Sequence, residues 1–199
     1  VDGIERYRIS SIEPNLLTSE IVEWIASGTK FLPHFHIPLQ SGCDEILRKM
    51  RRRYNTTMFR QKIELVRSYM GNPFFGIDVI TGFPGETEEL FNETYRFLEE
   101  IRPAFIHIFP YSRRNGTPAA LMDDQVDEQV KQQRVHRLEE LCAKLHKEYY
   151  DSFKGATEEV LFESTQKGGK MFGYTRNYIL VERPYDKDLI GKISVVVLD

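Results

Sequence analysis

Apolar and polar residues follow two different periods along the first 120 residues, and each switch between the periods marks the edge of a unit. The run 7-YRISSI-12 has the length and composition of a short strand, and it ends at 13-EPN-15, where Pro14 biases Glu13 toward extended backbone. In 18-TSEIVEWIAS-27, Ile21, Trp24 and Ile25 recur at helical spacing, with Thr18 or Ser19 placed to cap and Gly28 beyond the end. A second unit runs from strand 34–39 through the polar loop 40-QSGCD-44 into helical stretches at 44–50 and 56–70. In the latter Phe59, Ile63, Val66 and Met70 share a face and Gly71 closes the helix. The third unit repeats the design: strand 74–81, loop 82-GFPGE-86, and helix 87–101 with the stripe Leu90, Phe91, Tyr95, Leu98 and Ile101. Strand 104–111 then leads into 112-SRRNGTPAA-120.

Strands separated by helices long enough to cross over predict an α/β fold with a parallel sheet, either an open layer or a barrel. Every polar strand exit then lies on one C-terminal edge, where such folds bind ligands. The pattern changes after residue 124. A long amphipathic helix at about 124–153 carries Val130, Val135, Leu138, Leu141, Cys142 and Leu145 on its apolar side, and strand-like runs follow at 159–164, 178–183 and 193–198, punctuated by glycines. The expected division is a first domain over 1–154, including the linking helix, and a small β domain over 155–199, too small for a large core of its own and so docked on the first.

Composition narrows the classes. The 199 residues are 41% hydrophobic with a formal net charge of −3, so no global basic field demands a nucleic acid, although a local patch is compatible with one. No apolar run has membrane-spanning length and the first residues lack a signal peptide's apolar core, which points to a cytoplasmic protein. The missing initiator Met points to a mature form or a piece of a longer chain. Cys43 and Cys142 are the only cysteines, too few for a cysteine-ligated zinc or iron–sulfur site.

The candidate chemistry lies at the strand ends. His34 and His36 alternate and share a face with Gln40; they could hold a metal, but without an identifiable third ligand a packed, hydrogen-bonded role is favoured. Asp78 interrupts an apolar strand and needs a partner or a ligand. Gly82 and Gly85 allow close backbone approach before a helix N-terminus, yet the loop lacks the Gly-Lys-Ser/Thr ending of a phosphate-binding loop. Basic residues cluster at 48-RKMRRR-53 and 113-RR-114. In the tail, Lys167, Lys170 and Arg176 mix with Phe172, Tyr174 and Tyr178, a composition that fits RNA, with phosphates giving affinity and rings stacking on bases.

The segments 9-ISSIEP-14, 34-HFHIPLQSGCDEILRKMRRRY-54, 78-DVITGFPGETEELFNET-94 and 109-FPYSRRNGTPAALM-122 resemble, in order and spacing, the radical S-adenosylmethionine methylthiotransferases, most of all the branch acting on threonylcarbamoyladenosine in tRNA. That resemblance implies the later four units of a partial (β/α)6 TIM-like radical SAM barrel, followed by a small RNA-binding β-barrel of TRAM type, with 171-MFGYTRNYILV-181 at its core. It implies S-adenosylmethionine and two [4Fe-4S] clusters in the whole enzyme, an electron donor, and tRNA as partner. The family's cluster cysteines have no counterpart here, so no cluster is expected in this chain, Cys43 looks like a substitution for Ser, and the chain alone is expected to be inactive. By analogy Ser11, Glu13, Gln40, Ser41, Asp78, Gly82, Phe83 and Pro84 line the S-adenosylmethionine side of the barrel mouth, with Tyr111 and Arg113 at the fourth exit. Arg51, Arg52, Arg53, Arg113, Arg114, Lys167, Lys170 and Arg176 are the tRNA-facing candidates. The rival classes are an RNA-binding protein without catalysis, a metabolite-binding α/β protein, and a methylthiotransferase of another branch. The first visible strand would be a free edge able to pair with a second copy.

Overall fold

The computed structural model describes residues 2–199. Its first sheet contains β1 (Tyr7–Ile9), β2 (Phe31–Gln40), β3 (Phe74–Thr81) and β4 (Phe105–Pro110), all parallel and hydrogen-bonded in chain order. Between and after them run α1 (Ser19–Ala26), α2 (Asp44–Lys49), α3 (Thr56–Met70), α4 (Glu88–Ile101) and α5 (Glu128–Asp151). The helices begin where the sequence supplies an acceptor for an orphan amide: Thr18 Oγ1 takes the Ile21 N–H at 3.3 Å, Asn55 Oδ1 the Met58 N–H at 2.8 Å, and Thr87 Oγ1 the Leu90 N–H at 3.3 Å. Asp127 caps α5, so that helix starts four residues later than the apolar pattern alone indicates. Gly71 ends α3 at a φ of 69°.

Strand alternation divides the sheet into two faces. Phe35, Ile37 and Leu39 of β2, Phe75, Ile77 and Val79 of β3, and Ile106 of β4 are buried against Leu47, Phe59, Ile63, Val66, Phe91, Leu98, Leu138 and Leu141 of the helices. The opposite face carries the polar residues: His34, His36 and Gln40 on β2, Asp78 on β3 and His107 on β4, all partly exposed. Apolar burial on one side therefore fixes which side chains are left to meet a ligand on the other. β1 pairs only with β2 among the described residues, which leaves its outer edge free.

The tail folds as β5 (Thr157–Lys167), β6 (Lys170–Thr175), β7 (Leu180–Pro184) and β8 (Ile193–Val197), antiparallel in the order β7-β6-β5-β8. This departs from the barrel expected from the sequence. β7 and β8 are the two outer strands and are not paired with each other, so among the described residues the sheet is open. The separate strand β6, within the stretch 171–181, is the element that the spacing of apolar runs did not resolve. The tail is docked: Phe74 and Ala104 of the first domain pack with Tyr149 of α5 and with Ile179 and Leu198. Arg6 also donates to the main-chain oxygens of Tyr174 at 3.0 Å and Glu159 at 3.1 Å.

Tight packing between the β2 exit and α4 makes Gly42 intolerant of a side chain. A Cβ there would lie 2.8 Å from Phe97 Cβ and 2.9 Å from Thr94 Cα. Gly42→Ala is expected to cost about 1–3 kcal/mol by overpacking, measured as a lower urea midpoint at unchanged m-value.

Candidate functional site

Parallel strands place all four exits on one rim. The Ile12 N–H donates to His36 O at 2.9 Å and the Tyr111 N–H to Thr81 O at 2.8 Å, so the segments leaving β1 and β4 stay joined to their neighbours beyond the regular pairing. The rim encloses a cavity of about 590 Å³ with Gln40, Asp78, Ile80, Tyr111, Ser112 and Arg114 among its walls. Two non-glycine residues at strand exits hold left-handed backbone, Ser11 at φ 58° and Gln40 at φ 69°. Such conformations cost on the order of 1–3 kcal/mol and persist where the surroundings impose them, often at ligand sites. At Gln40 the β2–β3 register also slips, from Pro38 opposite Asp78 to Gln40 opposite Val79. The Tyr111 hydroxyl is buried without a hydrogen-bond partner in the protein, which leaves an acceptor or donor to be supplied at this wall.

Other sequence candidates at the rim turn out to serve the protein's own packing. Ser41 is fully buried; its Oγ lies 3.1 Å from Thr94 Oγ1 and accepts the Cys43 N–H at 3.2 Å, so it braces the loop on α4 instead of lining the cavity. Gly82 was expected to let a ligand approach the backbone. The space its Cβ would take, 2.3 Å from Lys131 Cγ, belongs instead to α5. A Cβ on Gly85 would likewise meet Lys49 Nζ at 2.0 Å and Asp124 Oδ2 at 2.3 Å. Phe83 packs with Cys43 and Ile46 and sets its ring edge-on to Tyr111 at 5.3 Å, and Pro84 is buried beside it. Glu13 is tied to Arg52 at 3.4 Å.

The loop after β3 is held by a buried pair that the sequence reading missed. Glu86 Oε2 accepts the Gly82 N–H at 2.6 Å and Arg134 Nη1 at 3.0 Å, while the same Nη1 reaches Glu86 O at 2.9 Å. Both side chains are nearly inaccessible, at 1% and 5%. Burial pushes the Glu86 carboxyl up, and the Gly82 amide and Arg134 guanidinium pull it back toward the ionised form. Arg134 was hidden because one charged residue in a long helix is ordinarily solvated.

Beneath the rim lies a polar layer. His36 Nε2 is 2.6 Å from Asp78 Oδ1, and the His36 and His107 ring centroids are 4.9 Å apart. Burial, with His36 nearby, holds the His107 imidazole below its ordinary range. His34 stacks on Phe74 at 4.8 Å, and burial, aided by the Arg8 charge, lowers its imidazole to about 4.

The basic candidates do not form one stripe. Arg51 and Arg53 are exposed after α2, Arg114 borders the rim cavity, and Arg113 Nε donates to Ala120 O at 2.8 Å. Lys167 and Lys170 face each other at the β5–β6 hairpin, where Lys170 pairs with Glu182, while Arg176 lies past the other end of β6, where its charge is felt at Arg6 together with that of Arg8. Tyr174 and Tyr178 stack on each other at 4.5 Å, and Arg8 lies 4.5 Å over Tyr178. These two rings belong to the joint with the first domain, which corrects the expectation that they are free to stack on bases.

Residues 2–98 match the family model described as the radical SAM superfamily. The chain is 44% identical over 200 residues to threonylcarbamoyladenosine tRNA methylthiotransferase MtaB of Bacillus subtilis, covering 98% of this chain and 44% of that protein. It is 40% identical over 195 residues to a tRNA-2-methylthio-N(6)-dimethylallyladenosine synthase of Clostridium botulinum, covering 97% and 43%. The chain thus spans less than half the length of these relatives. Among solved structures, coproporphyrinogen III oxidase (HemN) of Escherichia coli superposes with a TM-score of 0.57 at 18% identity, over 70% of this chain and 32% of that one, a likeness of fold.

Two outcomes are expected. Arg134→Met, which leaves Glu86 buried without its counter-charge, should lower stability by about 3–5 kcal/mol, read from urea denaturation. Because the folded His34 pKa of about 4 lies below the ordinary value of 6.5, the unfolded chain binds the extra proton between them. Stability should therefore fall as pH drops through that window, and His34→Phe should flatten this part of the denaturation-midpoint profile.

Proposed function

The chain belongs to the radical SAM superfamily and, within it, to the methylthiotransferases, and from this we propose that it supplies the later barrel units and the tail of an enzyme that adds a 2-methylthio group to threonylcarbamoyladenosine beside the tRNA anticodon. The observation that carries the reading is the convergence of Gln40, Asp78 and Tyr111 on one rim cavity in a chain that matches such enzymes almost end to end.

S-adenosylmethionine fits that cavity. Gln40 and Asp78 offer polar walls, the unpartnered Tyr111 hydroxyl offers a hydrogen bond, and Ile80 offers an apolar surface for a flat ring. Ser11 and Glu13 stand at the adjacent exit. Ser41, Gly82, Phe83 and Pro84 act from behind the wall, holding the exits of β2 and β3 in place through Thr94, Lys131 and Tyr111. When bound and reduced, this cofactor supplies hydrogen-abstracting radical chemistry; the residues here bind, orient and exclude water.

The two thiols do not fit an iron–sulfur cluster. Cys43 is buried in an apolar cluster that raises its thiol to about 11, and Cys142 Sγ accepts the Ile106 N–H at 3.3 Å inside the core. Ligands for the two [4Fe-4S] clusters therefore come from outside these residues, and the chain alone does not catalyse. In the whole enzyme, an electron donor in the cytoplasm serves the clusters.

The tail acts as an RNA-binding module on tRNA. Arg51, Arg53, Arg114, Lys167 and Arg176 are exposed cations that meet phosphates on this reading, with Arg113 and Lys170 beside them and Arg52 partly committed to Glu13. Binding of the anticodon stem-loop should weaken linearly on a logarithmic salt scale, and Lys167→Ala or Arg176→Ala should each lower the slope by about 1. Mass spectrometry of tRNA from cells lacking the gene tests the reaction. The expected result is loss of the 2-methylthio group from threonylcarbamoyladenosine; its retention there, or its loss from dimethylallyladenosine instead, overturns the substrate assignment.

A further inference from the structure

Four of the five histidines in the chain, His34, His36, His107 and His146, line a single cavity of about 420 Å³ on the polar face of the first sheet. Phe74, Phe105, Tyr150, Tyr174 and Tyr178 close much of the rest of it. Such convergence has no counterpart elsewhere among the described residues, where the remaining histidine, His136, is an exposed residue of α5 beside Glu139 and Glu140.

His36, Asp78 and His107 come from three adjacent parallel strands. Asp78 is directly opposite His107, and His36 lies one pleat before Pro38, the residue opposite Asp78. All three therefore project from the same face, and their nearest ligand atoms lie within 4.8 Å of one another. We propose that His36, Asp78 and His107 form a binding site for a first-row divalent cation of the zinc class, with its remaining coordination positions open to the histidine-lined cavity.

Two imidazoles and one carboxylate suit Zn²⁺, Co²⁺, Ni²⁺ or Fe²⁺ and disfavour Mg²⁺ and Ca²⁺, which select oxygen donors. Shifts of roughly an ångström, within reach of side-chain rotation, bring the three atoms to the ~2.0–2.2 Å of zinc–nitrogen and zinc–oxygen bonds. The ion takes the place of the hydrogen bond between His36 Nε2 and Asp78 Oδ1, which lie 2.6 Å apart; a neutral His36 ligating through Nε2 carries its ring proton on Nδ1. Gly76, next to Asp78 on the same face, leaves the space open: a Cβ there would approach His107 Nε2 to 3.6 Å. All three donors are half-buried, which shields them in part from the competition of bulk water. The sequence alone offered only the His34 and His36 pair; the third donor arrives from β4.

The test uses the 199-residue chain after treatment with chelator, titrated with Zn²⁺ by calorimetry and with Co²⁺ by visible absorption. One equivalent is expected, with the intense d–d bands of four- or five-coordinate Co²⁺. His107→Phe and Asp78→Asn should each weaken binding by at least about tenfold, at unchanged circular dichroism, and His136→Ala should leave it intact. If either of the first two variants fails to fold, His36→Gln is measured in its place. Uptake unaffected by these substitutions, uptake abolished by His136→Ala, or no uptake by the parent at micromolar Zn²⁺ overturns the proposal. None of these measurements involves S-adenosylmethionine or RNA, so the proposed methylthiotransferase role stands or falls separately.

Discussion

Parallel pairing of four strands is the constraint from which the remaining features follow. It sends every exit to the same edge, and strand alternation then commits Phe35, Ile37, Leu39, Phe75, Ile77 and Val79 to the helices. What is left over on the other side is not arbitrary. Once those apolar residues are buried, His36, Asp78 and His107 have no choice of face, and Gln40 and Tyr111 come to flank the same opening although 71 positions separate them in sequence. The hydrophobic effect that stabilises one face thereby organises the polar chemistry of the other.

The long helix α5 is more than a joint between domains. Its first turns present Lys131 and Arg134 inward, and the loop after β3 is shaped around them: Gly82 yields space to the Lys131 stem, and Glu86 ties the loop amide to the Arg134 guanidinium. A buried pair of this kind contributes little net stability compared with apolar packing, so its effect is better understood as fixing one loop conformation. Farther along, Cys142 meets the β4 main chain and Tyr149 donates to Asn177 O at 2.9 Å. One helix thus links the rim, the sheet and the tail.

The local order was legible in the sequence because local physics determines it. Periodicity and the closing glycine located β3 at 74–81 and α3 at 56–70 to the residue, since Gly71 and the apolar runs act within a few positions of where they lie. Exits sharing a rim followed from the crossover rule and needed no contact information. Side-chain partners were another matter. Ser41, Gly82 and Gly85 carry the same signature whether their neighbour is a ligand or a protein helix, and only the three-dimensional packing distinguishes Thr94 and Lys131 from a cofactor. Tyr174 and Tyr178 were ambiguous for the same reason, since an aromatic beside arginine can serve a nucleobase or a domain joint. β6 fell outside the strand-like runs because Gly168, Gly169 and Gly173 punctuate its stretch; in the folded tail a Cβ at Gly173 would come within 2.7 Å of Leu161 O.

The way the tail is held has an evolutionary consequence. Arg6 grips peptide oxygens of Tyr174 and Glu159, and Tyr149 grips that of Asn177; each is a group that every amino acid possesses. Substitutions on the tail's outer surface can therefore accumulate without loosening these three attachments, so long as the strands keep their path. Selection is left free to retune the electrostatic surface of the appendage while the angle at which it is carried stays constant.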